Sequence, residues 1–88
     1  MKEEIKVKEF NRLTLLKEVS TYCDVTCKVN EDSTVYIPTV GTYPSITHAL
    51  IGLIRYEFYI EEYELGKDKM EFVNHIWKTE FEGCSDYY

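Results

Sequence analysis

The chain has 88 residues, is 44% hydrophobic and 15% aromatic, and carries a net charge of −6 at pH 7. That length suits one domain with a modest core, and the apolar content excludes a disordered chain. The acidic balance repels phosphates and argues against direct nucleic-acid binding. The longest apolar run, Ala49 to Ile54, falls far short of the roughly 20 residues of a membrane span.

Residues 4–10 alternate weakly, with Ile5 and Val7 on one side, which fits either a short strand or the first turns of a helix. Asn11 is placed to cap a helix over residues 11–22, where Leu13, Leu15, Leu16, Val19 and Tyr22 recur at helical spacing. Over residues 24–30, Val25, Cys27 and Val29 alternate with Thr26 and Lys28. The turn residues Asn30-Glu31-Asp32-Ser33 follow, and then a second alternating run, Thr34-Val35-Tyr36-Ile37, which Pro38 ends or marks as an edge. This is a β-hairpin, and two strands alone are marginal, so a third strand or a helix must cover one face.

Thr42-Tyr43-Pro44-Ser45 reads as a helix entry with Pro44 in the first turn, and the helix should run to about Leu65 with Gly66 at its end. From Ile46 to Ile54 it is apolar on nearly every side, which makes its first half the most buried element. Asp68 and Glu71 have the spacing of a capping box, opening a last helix with a stripe of Met70, Val73, Trp77 and Phe81, Ile76 beside it, and Gly83 as its stop. The expected fold is α+β: a small antiparallel sheet packed with an N-terminal helix and two C-terminal helices. It forms a single acidic domain over residues 1–83 with a loosely held tail, 84–88.

The charge is unevenly spread. Residues 1–44 carry six basic and seven acidic groups, whereas residues 45–88 carry four and nine. On a continuous helix Glu57, Glu61 and Glu64 stack on one face at spacings of four and three, with Glu62 nearby and no lysine at a complementary spacing. Like charges so placed cost a helix roughly 0.2–0.5 kcal/mol per pair, a local penalty that a binding function explains. The competing explanation is that Lys67, Lys69 or Lys78 folds back to neutralise the cluster. Tyr56, Tyr59 and Tyr63 form a separate stripe, with Tyr56 assigned to the core and Tyr59 and Tyr63 to the surface. Exposed tyrosine beside charge is a common make-up of binding hot spots. The partner-binding residues are therefore expected to be Glu57, Tyr59, Glu61, Glu62, Tyr63 and Glu64, facing a basic protein surface.

Other chemistry finds little support. His48 and His75 are the only histidines, and no nucleophile-elbow, zinc-protease or phosphate-loop motif is present. Glu57 shares an apolar arc with Ile46, Leu50 and Leu53, and burial there would suit it to acid catalysis, but a carboxylate reaching solvent or pairing with a lysine is the simpler expectation. Cys23 and Cys27 with a histidine or Cys84 would make a metal site, yet the Cys-x3-Cys spacing matches zinc sites poorly, and Cys27 reads as a small core residue. No catalytic residue, cofactor or metal is expected. The odd cysteine count and the charged start Met1-Lys2-Glu3-Glu4 point to the cytoplasm, reducing and without a secretory leader.

Four segments, Val29-Asn30-Glu31-Asp32, Val35-Tyr36-Ile37, Ser45-Ile46 and Glu61-Glu62-Tyr63-Glu64, follow one another over residues 25–80 in a layout that resembles the small acidic phage-encoded anti-CRISPR proteins. One type in that group combines an N-terminal helix, a small antiparallel sheet and two helices with acidic residues that imitate DNA at the PAM-reading site of an RNA-guided Cas nuclease. This chain departs from it in having two clear strands where that type has three, and fewer acidic residues in loops. The resemblance implies a DNA-mimicking inhibitor acting in the host cytoplasm, with Glu57, Glu61, Glu62 and Glu64 as phosphate mimics and Tyr59 and Tyr63 filling apolar gaps. The alternative is a small regulatory or structural interaction protein, including a homodimer joined through the tyrosine stripe. An enzyme or nuclease toxin would need His48 or His75 brought close to a carboxylate.

Overall fold

The computed structural model describes residues 8–81. The alternation over residues 4–7, the stop at Gly83 and the tail 84–88 lie outside the described residues, and residues 8–10 have no regular secondary structure. The fold is α+β, with four α-helices and a three-stranded antiparallel sheet. Contacts divide it into two compact units, one of residues 11–60 and the other combining residues 8–10 with residues 61–81.

In the first unit, helix α1 (Arg12–Tyr22) begins where Asn11 Oδ1 accepts from the Thr14 N–H at 3.0 Å, satisfying an amide that has no helical partner. Leu15, Leu16 and Val19 turn inward, while Tyr22, which the helical spacing places with them, is exposed. Ser20 is buried as well, its hydroxyl donating to the Leu16 carbonyl at 2.8 Å. The helix ends in a Schellman closure: the Val25 N–H donates to the Ser20 carbonyl, the Asp24 N–H donates to the Thr21 carbonyl, and Asp24 takes the left-handed conformation at φ 59°.

The sheet order is β1-β2-β3, formed by Lys28–Val29, Val35–Ile37 and Gly41–Tyr43. Val35 pairs with Val29 on one side and Tyr43 on the other, and Tyr36 with Lys28 and Thr42. Alternation in β2 buries Val35 and Ile37 and leaves Tyr36 outward. The sequence reading made the first strand too long: only Lys28–Val29 pairs, and Val29 is exposed, although Val25 and Cys27 are half-buried as their alternation suggests. The third strand is the segment expected to enter a helix. Pro38 sits at the second position of the turn closed by the Val40 N–H on the Ile37 carbonyl, where its fixed φ fits, and this returns Gly41–Tyr43 against β2.

Helix α2 (Ile46–Ile51) starts at Ser45, whose hydroxyl accepts from the His48 N–H, so Pro44 precedes the cap instead of lying in the first turn. The helix widens into a π-helical stretch, Gly52–Glu57. Ala49, Leu50, Ile51, Leu53 and Ile54 are buried, and removing each larger aliphatic side chain from water is worth about 1.5–3 kcal/mol. Both α1 and β3 contact α2, and Arg12 Nη1 donates to Thr47 Oγ1 at 2.7 Å between the two helix starts.

The expected single helix to Leu65 does not form. Its last amide bonds are those of Phe58 to the Leu53 carbonyl at 2.9 Å and Ile60 to the Ile54 carbonyl at 2.8 Å, and Tyr59 between them is left-handed at φ 48°. Ile60 is buried and Tyr59 is exposed. Burial of Ile60 and the closing amide bonds compete successfully with helix propensity, which is worth only tenths of a kcal/mol per residue, ~0.7 at most for ordinary residues.

In the second unit, the one-turn helix α3 (Glu62–Leu65) is followed at once by α4 (Lys67–Ile76), which continues as a π-helical stretch, Trp77–Phe81. Gly66 ends one helix and begins the next: its N–H donates to the Glu62 carbonyl and its carbonyl accepts from the Met70 N–H. Asp68 is therefore not the cap that its spacing from Glu71 suggests; it lies in the first turn, where a carboxylate faces the positive end of the helix. Met70, Val73, Ile76 and Phe81 are buried as expected, Trp77 is half-buried, and Phe72, outside the predicted stripe, is buried with its ring edge-to-face on Phe10 at 5.6 Å.

Candidate functional site: an acidic turn carrying Tyr63

The six residues expected to share one helical face fall into two groups. Glu57 and Tyr59 belong to the end of the first unit, and Glu61, Glu62, Tyr63 and Glu64 to the start of the second. The stacking of Glu57, Glu61 and Glu64 on one continuous helix is overturned by the interruption at residues 58–60.

Glu57 is exposed, so its apolar arc does not enclose it, and the Tyr43 hydroxyl donates to its Oε2 at a long 3.4 Å. That hydrogen bond is weak at such a length, but it crosses the face of Gly52 and ties the end of the π-helical stretch to β3. Tyr56 is half-buried, in keeping with its assignment to the core side, and Tyr59 is 70% exposed.

The second group is compact because it is built on one turn. Glu61 precedes α3, and Glu64 Oε1 reaches back to accept from the Glu61 N–H at 3.2 Å. This is the return half of a capping box, a role for Glu64 that the sequence reading missed. The signal was there: two glutamates three residues apart at the start of a helical turn have that spacing. Glu61, Glu62, Tyr63 and Glu64 are all exposed, with Tyr63 at 82%, and among the described residues no cation pairs with any of the three carboxylates. The competing explanation, neutralisation by Lys67, Lys69 or Lys78, does not hold at Glu61, Glu62 or Glu64 among the described residues. One turn therefore presents three negative charges and a phenol to solvent, the last an amphipathic body with a polar tip.

The remaining chemistry-bearing residues do not assemble. His48 is half-buried with Nδ1 2.7 Å from Ser45 Oγ, and that same oxygen caps α2, so the pair is a helix start. His75 is exposed on α4 in the other unit. Cys23 and Cys27 are free and half-buried, Cys84 is outside the described residues, and no group of three His, Cys, Asp or Glu side chains among the described residues is arranged to hold a metal. Among those residues no helix is long and apolar enough to cross a membrane.

Comparison with protein-family models, with curated proteins and with solved structures finds no match to this chain.

Proposed function

We propose that this protein is a non-enzymatic binding protein that presents the turn Glu61-Glu62-Tyr63-Glu64 to a basic surface on another protein and blocks nucleic acid from that surface. The observation that carries the reading is the exposure of Tyr63 among three glutamates that pair with no cation among the described residues. Three like charges held on one turn repel one another, and a basic partner offsets that repulsion through complementary charge. The phenol supplies apolar contact area at small cost in side-chain entropy. An RNA-guided Cas nuclease is the candidate partner through the resemblance to anti-CRISPR proteins, and the third strand, Gly41–Tyr43, removes one of the departures from that layout.

The test is competition for DNA on an RNA-guided Cas nuclease, together with capture from a host lysate at low and high salt. The native chain should displace DNA and retain a partner at low salt only, because the attraction is screened. The double variant Glu61→Lys/Glu62→Lys, which spares the Glu64 cap, should lose both activities with an unchanged circular dichroism spectrum. Undiminished binding by a folded double variant rules the acidic turn out. Exposed Tyr59 and Tyr63 also support a second reading, a homodimer joined through these rings; light scattering decides it, since Tyr59→Ala would then convert a dimer to monomer.

A further inference from the structure

The core of the first unit lies open on the side of β1. The row Val29–Val35–Tyr43 crosses all three strands on the covered face of the sheet. Within it Val35 is 0% and Tyr43 7% exposed, but Val29 is 38% exposed. The backbone is open there too. The Asn30 N–H donates to the Thr34 carbonyl at 2.8 Å, and antiparallel bonding alternates along a strand. Lys28 therefore exchanges its backbone bonds with Tyr36, its partner in register, while the N–H and C=O of Val29 point away from β2. Cys27 continues the alternation, half-buried between exposed Thr26 and Lys28. Among the described residues no group bonds to the outward amides of Cys27 and Val29.

An edge with free amides takes an extended strand, and the side chains decide whose. Lys28 stands on the outer face opposite Tyr36, and no carboxylate among the described residues pairs with it. A second copy of this chain fits badly. The register that uses Cys27 and Val29 in both copies sets Lys28 directly against its own counterpart, and like charges so placed repel. Centring the two-fold on Val29 brings the turn residue Glu31 against Cys27. Centring it on Cys27 calls on Val25, whose N–H already donates to the Ser20 carbonyl at 2.9 Å. A foreign strand with a carboxylate facing Lys28 turns repulsion into attraction. Because side chains alternate between faces, apolar residues on either side of that carboxylate would cover Val29 and Cys27.

We propose that the free edge of β1 is a docking site for an extended segment of another protein with an apolar–acidic–apolar pattern. That segment adds as a fourth strand, antiparallel like its neighbours, with its carboxylate opposite Lys28. The backbone of Cys27 and Val29 supplies affinity, and Lys28 sets the register and selects the partner. The site is read from different residues than the acidic turn and stands or falls without it.

The probe is a blocked heptapeptide, Thr-Thr-Val-Glu-Val-Thr-Thr, titrated into the full chain to millimolar concentration and followed by amide NMR shifts. The shifts should concentrate at Cys27, Lys28 and Val29, and the Val29 amide should exchange more slowly. Val29→Pro removes the outward donor while leaving the bonds between Lys28 and Tyr36, since proline is tolerated on a sheet edge. It should weaken the peptide about five-fold, the order of one backbone hydrogen bond. Lys28→Glu tests the register without touching the backbone. It should weaken the same peptide by a few-fold and favour the peptide carrying Lys in place of Glu. The absence of peptide-dependent shifts at Cys27 and Val29 in the native chain overturns the proposal, and so does an unchanged peptide preference in Lys28→Glu. Shifts at those amides that grow with protein concentration when no peptide is present assign the edge to a second copy and overturn the proposed partner.

Discussion

The ring of Tyr43 lies directly on the bare Cα of Gly52. A Cβ built on Gly52 would stand 2.6 Å from the phenol oxygen and 2.7 Å from two ring carbons, inside any real contact distance. Glycine is required there because strand β3 and the π-helical stretch meet through a single aromatic thickness. Tyr43 is 7% exposed and its ring has little room to yield. Gly52→Ala should therefore destabilise the protein by about 1–3 kcal/mol, although the same change in an open helix would stabilise it. Urea denaturation measures the loss, and a Tyr43→Leu background should recover most of it. A loss that is equal in both backgrounds would place the cause elsewhere.

Asp24 offers the opposite case. It occupies the left-handed position that closes α1, where glycine is preferred, and its carboxylate stands at the negative end of the helix. Asp24→Gly should raise stability by roughly 1 kcal/mol, from relieved backbone strain and removed charge. The check is a higher urea midpoint at unchanged slope.

Asp32 gives a pH handle. Its Oδ1 accepts from the Thr34 hydroxyl at 2.6 Å and from the Thr34 N–H at 3.1 Å. The hydroxyl hydrogen bond first, then the backbone one, holds the carboxyl below its ordinary value of 3.8. A lowered folded value means that the stabilisation is complete above the unfolded value and disappears as pH falls through the folded one. Thr34→Val should raise the Asp32 titration midpoint in carbon NMR and narrow the acid range over which the hairpin turn persists. An unmoved midpoint would show that the hydroxyl does not set it.

Glu64 and Glu62 should separate structure from binding within one turn. Glu64→Ala removes the carboxylate that accepts from the Glu61 N–H and should fray α3 at a cost of about 0.5–1 kcal/mol. It should be visible as faster amide exchange at residue 61. Glu62→Ala, with no such bond, should leave exchange unchanged and weaken only the interaction with a basic partner.

Much of the fold was legible because its signals are local. Asn11 caps α1 with its own side chain, and β2 alternates because Val35 and Ile37 must face inward while Tyr36 does not. The third strand was hidden because Gly41–Tyr43 is three residues long and owes its pairing to β2, not to its own pattern. The cap expected at Asp68 was wrong because Gly66, able to adopt φ 108°, starts the helix two residues earlier. At the candidate site, the exposure of Tyr59 and Tyr63 followed from their separation from the apolar positions. The interruption at residues 58–60 did not, because burial of Ile60 is a tertiary effect and every residue from 55 to 65 is compatible with a helix.

Gly66 gives the acidic turn its mechanical setting. A four-residue helix cannot persist alone in water, and α3 is joined to the ten-residue α4 with no spacer beyond this one glycine. Its torsions thus aim the Tyr63 ring, and a force applied at that ring is transmitted to α4 through a single pair of backbone rotations.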